Sequence, residues 1–531
     1  MLNSIQATRG MAVAPHSLAS QSALSVLREG GNAIEAMIAA AATIAVVYPH
    51  MNGIGGDGFW TIALPGQAPF GIEAAGTASR TVSREFYRYL GTAAIPARGP
   101  LSANTVAATV SGWDVAYAAS AEIGGRMPVS RLLADAIHYA RHGVPVTQSQ
   151  ADNTRMKLVE LIAHPGFGET FTVDGKAPRA GDLFRQPRLA GTLERLASEG
   201  LDSFYRGALA RDIAADLAAA GSPVTLDDLQ AFRARRITPL HLKHSTGDVY
   251  NMTPPTQGLV SLIILALLDR LNLEQYAADS VEHIHLVVEA TKQAFLIRDR
   301  HITDPDYMKI DPQSCLTDEF LAPYLAAIRV DQALPWGKGK GPADTVWMGV
   351  IDGEGRAVSF IQSIYHEFGS GVVLSKTGIN WQNRGCSFSL DADHINTLEP
   401  GKKPFHTLNP ALARFADGRV MVYGTMGGDG QPQTQAAMFT RIGVFGQHPQ
   451  QAISAPRWLL GRTWGLPSDS LKLESRFDPQ IVAGLRALGH EVELLGAYDE
   501  TVGHAGAIVR HPAGTFEGAS DPRSNGGVAG F

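Results

Sequence analysis

Thr345 stands at the head of a strand-like segment, where its hydroxyl group could serve as a nucleophile. Segment 345–352, TVWMGVID, alternates larger apolar side chains with smaller ones, and a stretch rich in Gly, Lys and Pro precedes it. A threonine hydroxyl needs a base, and an N-terminal threonine can use its own α-amine, whose ordinary pKa of about 7.7–8.0 is near working pH. Because Thr345 is internal, this chemistry requires cleavage of the Asp344–Thr345 bond. An ordinary threonine that begins a strand is the alternative, and the local pattern by itself favours it.

A glycine-rich turn offers a second chemical feature. In segment 424–435, GTMGGDGQPQTQ, paired glycines lie between a strand-like and a helix-like stretch. Adjacent backbone N–H groups at such a turn could stabilise the oxyanion that forms during acyl transfer. A plain glycine turn explains the same residues equally well.

The segment GIGGDG, residues 53–58, has the glycine spacing of a dinucleotide-binding loop. Such a loop must follow a strand and open a helix, so that the pyrophosphate meets a helix N-terminus. Here a helix-like segment precedes the glycines and the strand-like FWTIAL follows them. The order is reversed, so we expect a tight helix-to-strand crossing with close backbone approach, and we predict no nucleotide cofactor.

His283 and His285 are candidates for a metal site, with Glu282 and Glu289 nearby. Residues two apart on a helix do not share a face, whereas a helical metal pair uses positions i and i+4. We therefore predict no metal here, and expect a partly exposed helix surface. No G-x-S-x-G nucleophile elbow occurs in the sequence.

Composition describes an ordinary globular protein and excludes several classes. The chain has 531 residues, 45% hydrophobic and 18% charged, with a formal net charge of −6 and two cysteines, Cys315 and Cys386. Two cysteines cannot form a disulfide framework, and no basic cluster indicates nucleic acid. The apolar segment 33–47 contains Glu35 and is short for a membrane span, so we expect a buried Ala-rich helix. Without a recognisable secretory signal at the start of this sequence, we expect a cytoplasmic protein.

Periodicity changes character near residue 345. A helix is predicted from a Ser cap at residue 17 to Gly30–Gly31, and Asn32 can cap the next helix. Residues 329–344 indicate an exposed linker, and strands separated from helical runs indicate a layered fold of sheets and helices. Further helices are predicted at roughly 129–143, 187–199, 208–220, 257–272, 281–300, 432–445 and 477–489. Strands are predicted at 345–352, 357–365, 371–375, 419–426 and 505–512.

Ordered motifs along nearly the whole chain resemble the γ-glutamyltransferase family of N-terminal-nucleophile hydrolases. They are LASQSALSVLREGGNAIEAMIAAA, VVYPHMNGIGGDGFW, ADT before a strand, FGSGVV, GKKPFHTLNP, MGGDGQPQ, APRW and SDPRSNGG. The resemblance implies an α+β fold, a four-layer αββα sandwich. It also implies a proenzyme that cuts itself at Asp344–Thr345 into a large subunit, 1–344, and a small subunit, 345–531. A dimer of such processed heterodimers is compatible with it.

The resemblance also implies roles for individual residues. Thr345 becomes the nucleophile and its freed amine the base. Ser363 stands where the family has a second threonine that hydrogen-bonds the nucleophile. Gly427 and Gly428 match the glycines of the oxyanion hole.

The family's pocket for the glutamate α-carboxylate and α-amino group is replaced in this sequence. Glu73 stands at the position of a carboxylate-binding Arg, while Ser387, Tyr365 and Arg384 stand where an Asp and Asn or Gln side chains hold the amino group. An ammonium group that faces Arg384 would lose several kcal/mol of pairing, so γ-glutamyl transfer is not expected.

The replaced pocket predicts a small amide that carries a carboxylate. Arg384 can bind a carboxylate with two hydrogen bonds. Tyr365, His406 and Thr407, the last two at the place of a family serine pair, are predicted to contact substrate, and Trp347 and Trp381 to help close the site. Blocks such as WQNRG and HTLNPA resemble the family's oxamate amidohydrolases, which hydrolyse oxamate to oxalate and ammonia in purine-nitrogen degradation. A γ-glutamyl hydrolase or transferase, an acylase of the family, and an unprocessed binding protein remain as alternatives.

Overall fold

The computed structural model describes residues 3–336, 344–461 and 468–531, and for Asp344 the backbone alone. Its helices are α1 Ser17–Arg28, α2 Ala33–Val47, α3 Arg84–Tyr89, α4 Thr109–Glu122, α5 Val129–Leu132, α6 Ala134–His142, α7 Gln148–Leu161, α8 Phe167–Phe171, α9 Pro187–Glu199, α10 Ala208–Ala220, α11 Leu226–Ala231, α12 Gly258–Arg270, α13 Val281–His301, α14 Asp318–Ala327, α15 Gln431–Phe439, α16 Pro449–Ser454 and α17 Pro479–Ala487. Its strands are β1 Ile5–Ala7, β2 Gly10–Ala14, β3 Asp57–Ala63, β4 Phe70–Ala74, β5 Val144–Pro145, β6 Leu183–Phe184, β7 Arg235–Ile237, β8 Leu240–His244, β9 Gly247–Asn251, β10 Asp344–Asp352, β11 Ala357–Tyr365, β12 Ala411–Phe415, β13 Val420–Thr425, β14 Trp458–Leu460, β15 Leu471–Glu474, β16 Val492–Leu495, β17 Ala505–Arg510, β18 Phe516–Ser520 and β19 Gly527–Gly530.

Two seven-stranded antiparallel sheets form the centre of the molecule. One has the order β19-β2-β10-β11-β3-β4-β7 and the other the order β1-β18-β17-β13-β12-β9-β8. One apolar core lies between the sheets. Two further cores lie where α1, α2 and α4 cover the first sheet and where α12, α13 and α15 cover the second. The fold is therefore the αββα sandwich that the motifs imply.

Strand β10 shows why this sequence fits an inner layer. Successive side chains of a strand point to opposite faces. Val346 and Met348 face the helices, whereas Trp347 and Ile351 face the second sheet. Both faces are buried, so the strand is apolar on both sides.

Several predicted boundaries are confirmed. Helices α9 and α10 match 187–199 and 208–220, and strand β11 matches 357–365. Asn32 caps α2 through a reciprocal pair of hydrogen bonds with Glu35.

Four predictions of local structure are wrong. His16, not Ser17, caps α1, because its ring accepts a hydrogen bond from Leu18 N. The predicted helix 129–143 is broken at Leu133. Segment 371–375 is a turn that makes a single bridge at Val373, since Gly371 has a φ of 75°. After α15, residues 440–444 form a π-helical turn instead of a continued α-helix. Of the predicted linker 329–344, residues 337–343 lie outside the described residues.

Candidate active site

Thr345 is the second residue of β10 and is fully buried. Gln431 Nε2, at the start of α15, donates a hydrogen bond of 3.3 Å to Thr345 Oγ1. The β10–β11 ladder pairs Asp344 with Tyr365 and Val346 with Gln362, and the register shifts between these two pairs. Thr345 therefore lies opposite a bulge of β11 that Ser363 and Ile364 form, and such bulges are frequent next to active sites.

Ser363 is one of the two buried residues in this bulge of β11. Its hydroxyl oxygen accepts a hydrogen bond of 2.8 Å from Tyr365 N, and on its other side β11 pairs Ser363 with Asp57 of β3. Ser363 thus lies beside Thr345 in the sheet.

The paired glycines lie between β13 and α15. Gly427 has a φ of 116° and Gly428 a φ of 53°, both in the left-handed region that favours glycine. Among the described residues, no acceptor takes the amide hydrogen of either glycine. The carbonyl of Gly428 accepts a hydrogen bond of 2.7 Å from Gln257 Nε2. The turn is held through its carbonyl group, and its two N–H groups, without an acceptor among the described residues, have the chemistry that an oxyanion site requires.

Arg384 is a fully buried cation with few partners. Its Nη1 donates a long, 3.5 Å hydrogen bond to Thr407 Oγ1, while Nε and Nη2 have no hydrogen-bond partner in the described part of the chain. The guanidinium stacks on the Tyr365 ring, 3.9 Å from its centre. Burial lowers the pKa of Arg384, and the nearby Tyr365 and Asp57 oppose that shift. A buried guanidinium with two unpaired nitrogens is suited to an anionic ligand.

A cavity of about 330 Å³ lies next to Arg384 and is lined by Tyr365, Ser387, Thr407, Asp429 and Cys386, among others. Thr345 and Arg384 do not line it, since they are buried behind this wall in the uncleaved chain. Tyr365 has a φ of 81°, a strained conformation for a non-glycine residue of the kind found at functional sites. Burial raises the pKa of the Cys386 thiol to about 12, so this cysteine is not a reactive thiolate.

Four residues that the sequence analysis placed at the pocket do not line the cavity. His406 is buried behind Thr407, its ring 3.5 Å from Asp57. Trp347 is buried between the two sheets and donates to Ser359 Oγ, so it does not close the cavity.

Trp381 and Glu73 also lie away from the cavity. Trp381 is buried in the helix-covered core and donates to the carbonyl of Thr105. Glu73 pairs with Lys403 and Arg235 beside a different surface pocket. Neither residue contacts the space beside Arg384.

Two residues that the sequence did not single out hold the glycine turn. Gln257 Nε2 also donates to the carbonyl of Thr407, at 3.0 Å. Arg298 of α13 lines the cavity and lies 3.1 Å from Asp429, the residue after the paired glycines. No local sequence motif marks Gln257 or Arg298 as part of the site. Only their contacts in the folded chain show it.

The GIGGDG segment is the predicted tight crossing between α2 and β3. A Cβ atom on Gly56 would lie 2.0 Å from the carbonyl oxygen of Ser363, and one on Gly55 would lie 2.2 Å from that of Asn380. These glycines allow close backbone approach to the bulge of β11.

The prediction of a partly exposed surface at His283 and His285 is wrong, because α13 is covered by the C-terminal part of the chain and both rings are buried. His285 and Glu289 are at positions i and i+4. One potential ligand atom from each of these residues and from His490 lies within 4.8 Å of the others. Each already has partners: His285 bonds His490 and the carbonyl of Arg329, and Glu289 pairs with Lys292. The cluster is thus a satisfied polar network.

None of the described helices is both long and apolar enough to cross a membrane.

Comparison with known proteins identifies the family of the chain. The family model for Gamma-glutamyltranspeptidase matches residues 19–531. The chain is 62% identical over 532 residues to the oxamate amidohydrolase proenzyme of Klebsiella pneumoniae, and 42% identical over 532 residues to the glutathione hydrolase-like YwrD proenzyme of Bacillus subtilis, with 100% of each chain covered in both cases. The solved cephalosporin acylase from Bacillus halodurans superposes with a TM-score of 0.91 at 33% identity, covering 100% of this chain and 97% of the acylase. The chain therefore belongs to the γ-glutamyltranspeptidase family.

Proposed function

We propose that this chain is a self-processing amidohydrolase that hydrolyses oxamate, or a close relative of it, to oxalate and ammonia. The observation that carries the proposal is Arg384, a buried guanidinium with two unpaired nitrogens beside the candidate nucleophile's strand. The 62% identity to an oxamate amidohydrolase proenzyme supports it. Cleavage of Asp344–Thr345 would give subunits 1–344 and 345–531.

The reaction follows from the roles of a few groups. Cleavage frees the α-amine of Thr345, which takes the hydroxyl proton as Oγ1 attacks the amide carbon. The N–H groups of Gly427 and Gly428 hold the oxyanion. The amine then gives the proton to the departing nitrogen, ammonia leaves, and an oxalyl ester of Thr345 remains. Water attacks this ester with the amine again as base, which releases oxalate and restores the hydroxyl.

Arg384 would hold the substrate carboxylate in this scheme. Its free Nε and Nη2 suit two parallel hydrogen bonds to a carboxylate, and stacking on Tyr365 fixes the plane of the fork. A γ-glutamyl substrate would bring an ammonium group to the same guanidinium, which is repulsive.

An acylase of bulkier amides is the second candidate. The cavity of about 330 Å³ is larger than six non-hydrogen atoms of oxamate need, and the superposition on cephalosporin acylase favours the same alternative. In that case the acyl or amine portion would occupy the space that Phe405 and Ile302 border.

The test combines intact mass with an ammonia assay. We expect the wild-type protein to appear as pieces of 344 and 187 residues (531 minus 344) and to release ammonia from oxamate. Thr345→Ala should stay as one chain of 56.6 kDa and release none. Thr192→Ala removes another buried threonine hydroxyl, bonded to the carbonyl of Thr377, and should be cut and active. An uncut but fully active Thr345→Ala protein would overturn the proposal. Turnover of γ-glutamyl-p-nitroanilide in preference to oxamate would favour the family's other activities.

A further inference from the structure

Asp57 and His406 form a buried pair beside Arg384 that the proposed reaction does not use. Asp57 begins β3 directly after the glycines of GIGGDG, and His406 precedes Thr407; both side chains are fully buried. The pair is tied to the chain around Arg384, because Gln382 Nε2 donates to Asp57 Oδ1 at 3.2 Å. Thr407, next to His406, accepts the hydrogen bond from Arg384.

The hydrogen bonding of this pair is incomplete on the sides that face each other. Asp57 Oδ1 also accepts from Gly76 N at 2.9 Å, whereas Oδ2 has no donor in the described part of the chain and lies 3.5 Å from His406 Nε2. Neither ring nitrogen of His406 has a hydrogen-bond partner among the described residues. A carboxylate oxygen and an imidazole nitrogen can join only if one of them carries a proton. The two atoms form no hydrogen bond as they stand, and in the tautomer with its hydrogen on Nδ1 the ring offers Nε2 as an acceptor for a proton added to Oδ2.

The surrounding charges decide when that proton binds. Asp57 is faced by Arg384, by His406 and by the buried hydroxyl of Tyr205, and Lys403 acts on His406 from the same side. Burial raises the pKa of Asp57 to about 7, with Arg384 opposing the shift. Burial, Arg384 and Lys403 all lower the pKa of His406. In the free protein above neutral pH, ionised Asp57 thus balances the charge of Arg384.

We propose that binding of a carboxylate at Arg384 is coupled to uptake of one proton by the Asp57–His406 pair. A bound carboxylate places a second anion near the same guanidinium, and its repulsion of Asp57 is strong in a buried site. A proton from solvent on Asp57 Oδ2 removes the repulsion, and the new O–H can donate to His406 Nε2. Asp57 is then a positioning residue that acts through Arg384. This inference rests on the proposed carboxylate site.

The sign of the pH dependence follows from linkage. Below about pH 7 Asp57 already carries its proton, so carboxylate binding takes up none. Above that pH each binding event must take up one proton, and affinity falls by about tenfold per pH unit until the pKa of the bound state is reached.

Titration calorimetry with oxalate tests the coupling without turnover. The processed protein is titrated at pH 8 in two buffers of different ionisation enthalpy, HEPES and Tris, which yields the number of protons taken up. We expect the wild-type protein to take up nearly one proton more than Asp57→Asn, because any uptake by the α-amine of Thr345 is common to both proteins, and the affinity of Asp57→Asn should fall less steeply between pH 6.5 and 8.5. Asp114→Asn is the control: burial also raises the pKa of this carboxyl, but it lies on α4 near Asp202 and Arg206. It should behave as the wild-type protein does.

The outcomes separate this inference from the proposed function. Tight oxalate binding with no proton uptake, or with the same uptake in Asp57→Asn, overturns the coupling and leaves the carboxylate site intact. Absence of oxalate binding at every pH overturns both. If Asp57→Asn does not fold, Asp57→Ser replaces it in the comparison, and zero uptake by the wild-type protein at pH 8 overturns the coupling by itself.

Discussion

Arg523 and Arg384 are both buried guanidinium groups, but their surroundings are opposite. Arg523 bonds Glu474 through Nε and Nη2, Asp521 through Nη1, and the carbonyls of Ile453 and Ala455. Arg384 has one long bond and two unpaired nitrogens in the described part of the chain.

The difference in hydrogen-bond partners distinguishes an arginine that stabilises the fold from one that is suited to bind a ligand. A buried cation is stable when carboxylates and carbonyls surround it, and Arg523 meets that condition within its own subunit of the proposed enzyme. Arg384 has no hydrogen-bonded carboxylate among the described residues, and the charge of nearby Asp57 opposes its own only when Asp57 is ionised, so the burial of Arg384 is less well compensated than that of Arg523. A proposed substrate carboxylate completes the second site in the way that Asp521 and Glu474 complete the first.

The largest expected effect is on the free energy of unfolding, at the ion pairs that Asp521 makes with Arg457 and Arg523. Asp521→Asn removes the carboxylate that accepts from both Arg457 and Arg523. Breaking such a buried pair costs about 3–5 kcal/mol, so the free energy of unfolding should fall by that amount in urea denaturation. Asp417→Asn removes an exposed partner of Arg419 and should cost less than about 1 kcal/mol. Equal losses in the two variants would contradict the distinction.

A smaller effect, and on a different quantity, is expected at Arg384. Arg384→Met should lower kcat/KM for oxamate by about thirtyfold or more, since the truncation of a buried charge partner costs about 2–5 kcal/mol of binding. Its free energy of unfolding should stay level or rise, because an unpaired buried cation is removed. Arg384→Lys keeps the charge without the fork and should recover part of the activity. A strongly destabilised Arg384→Met protein with normal kcat/KM would place Arg384 with Arg523 as a structural residue.

The smallest effect concerns the pH dependence of the free energy of unfolding, to which Asp521 and Asp57 contribute with opposite signs. Arg457 and Arg523 overcome burial and lower the pKa of Asp521, so its contribution is present above about pH 4 and is lost as pH falls through its folded pKa. The pKa of Asp57 is raised to about 7, so its contribution is complete below about pH 4 and is lost as pH rises through 7. Melting temperatures from pH 3 to 9 check this. Above pH 7 the melting temperature of Asp57→Asn should rise relative to that of the wild-type protein. In acid the melting temperature of Asp521→Asn should approach that of the wild-type protein. The same pH profile in both variants would refute the assignment.

Local patterns predicted much of the fold. The bounds of α9 and α10 follow from Pro187 at a helix start and from glycines after each helix end, signals that act within one turn. The reversed context of GIGGDG correctly indicated a tight crossing.

The failures share a cause. His283 and His285 appeared exposed because a polar helix face looks the same whether solvent or another buried polar group covers it. Segment 371–375 has strand-forming residues, yet Gly371 in the left-handed region turns it away from the sheets.

By itself, the sequence determined that Thr345 stands at the start of a strand, that paired glycines follow a strand, and that ordered motifs place the chain in its family, because these are properties of neighbouring residues. Tertiary structure decided what surrounds Arg384. It stacked Tyr365 on the guanidinium, placed His406 behind it against Asp57, and kept Trp347 between the sheets. Periodicity reports which face of an element is apolar, but it does not report which distant element covers that face, and the charge balance of a buried site depends on that neighbour.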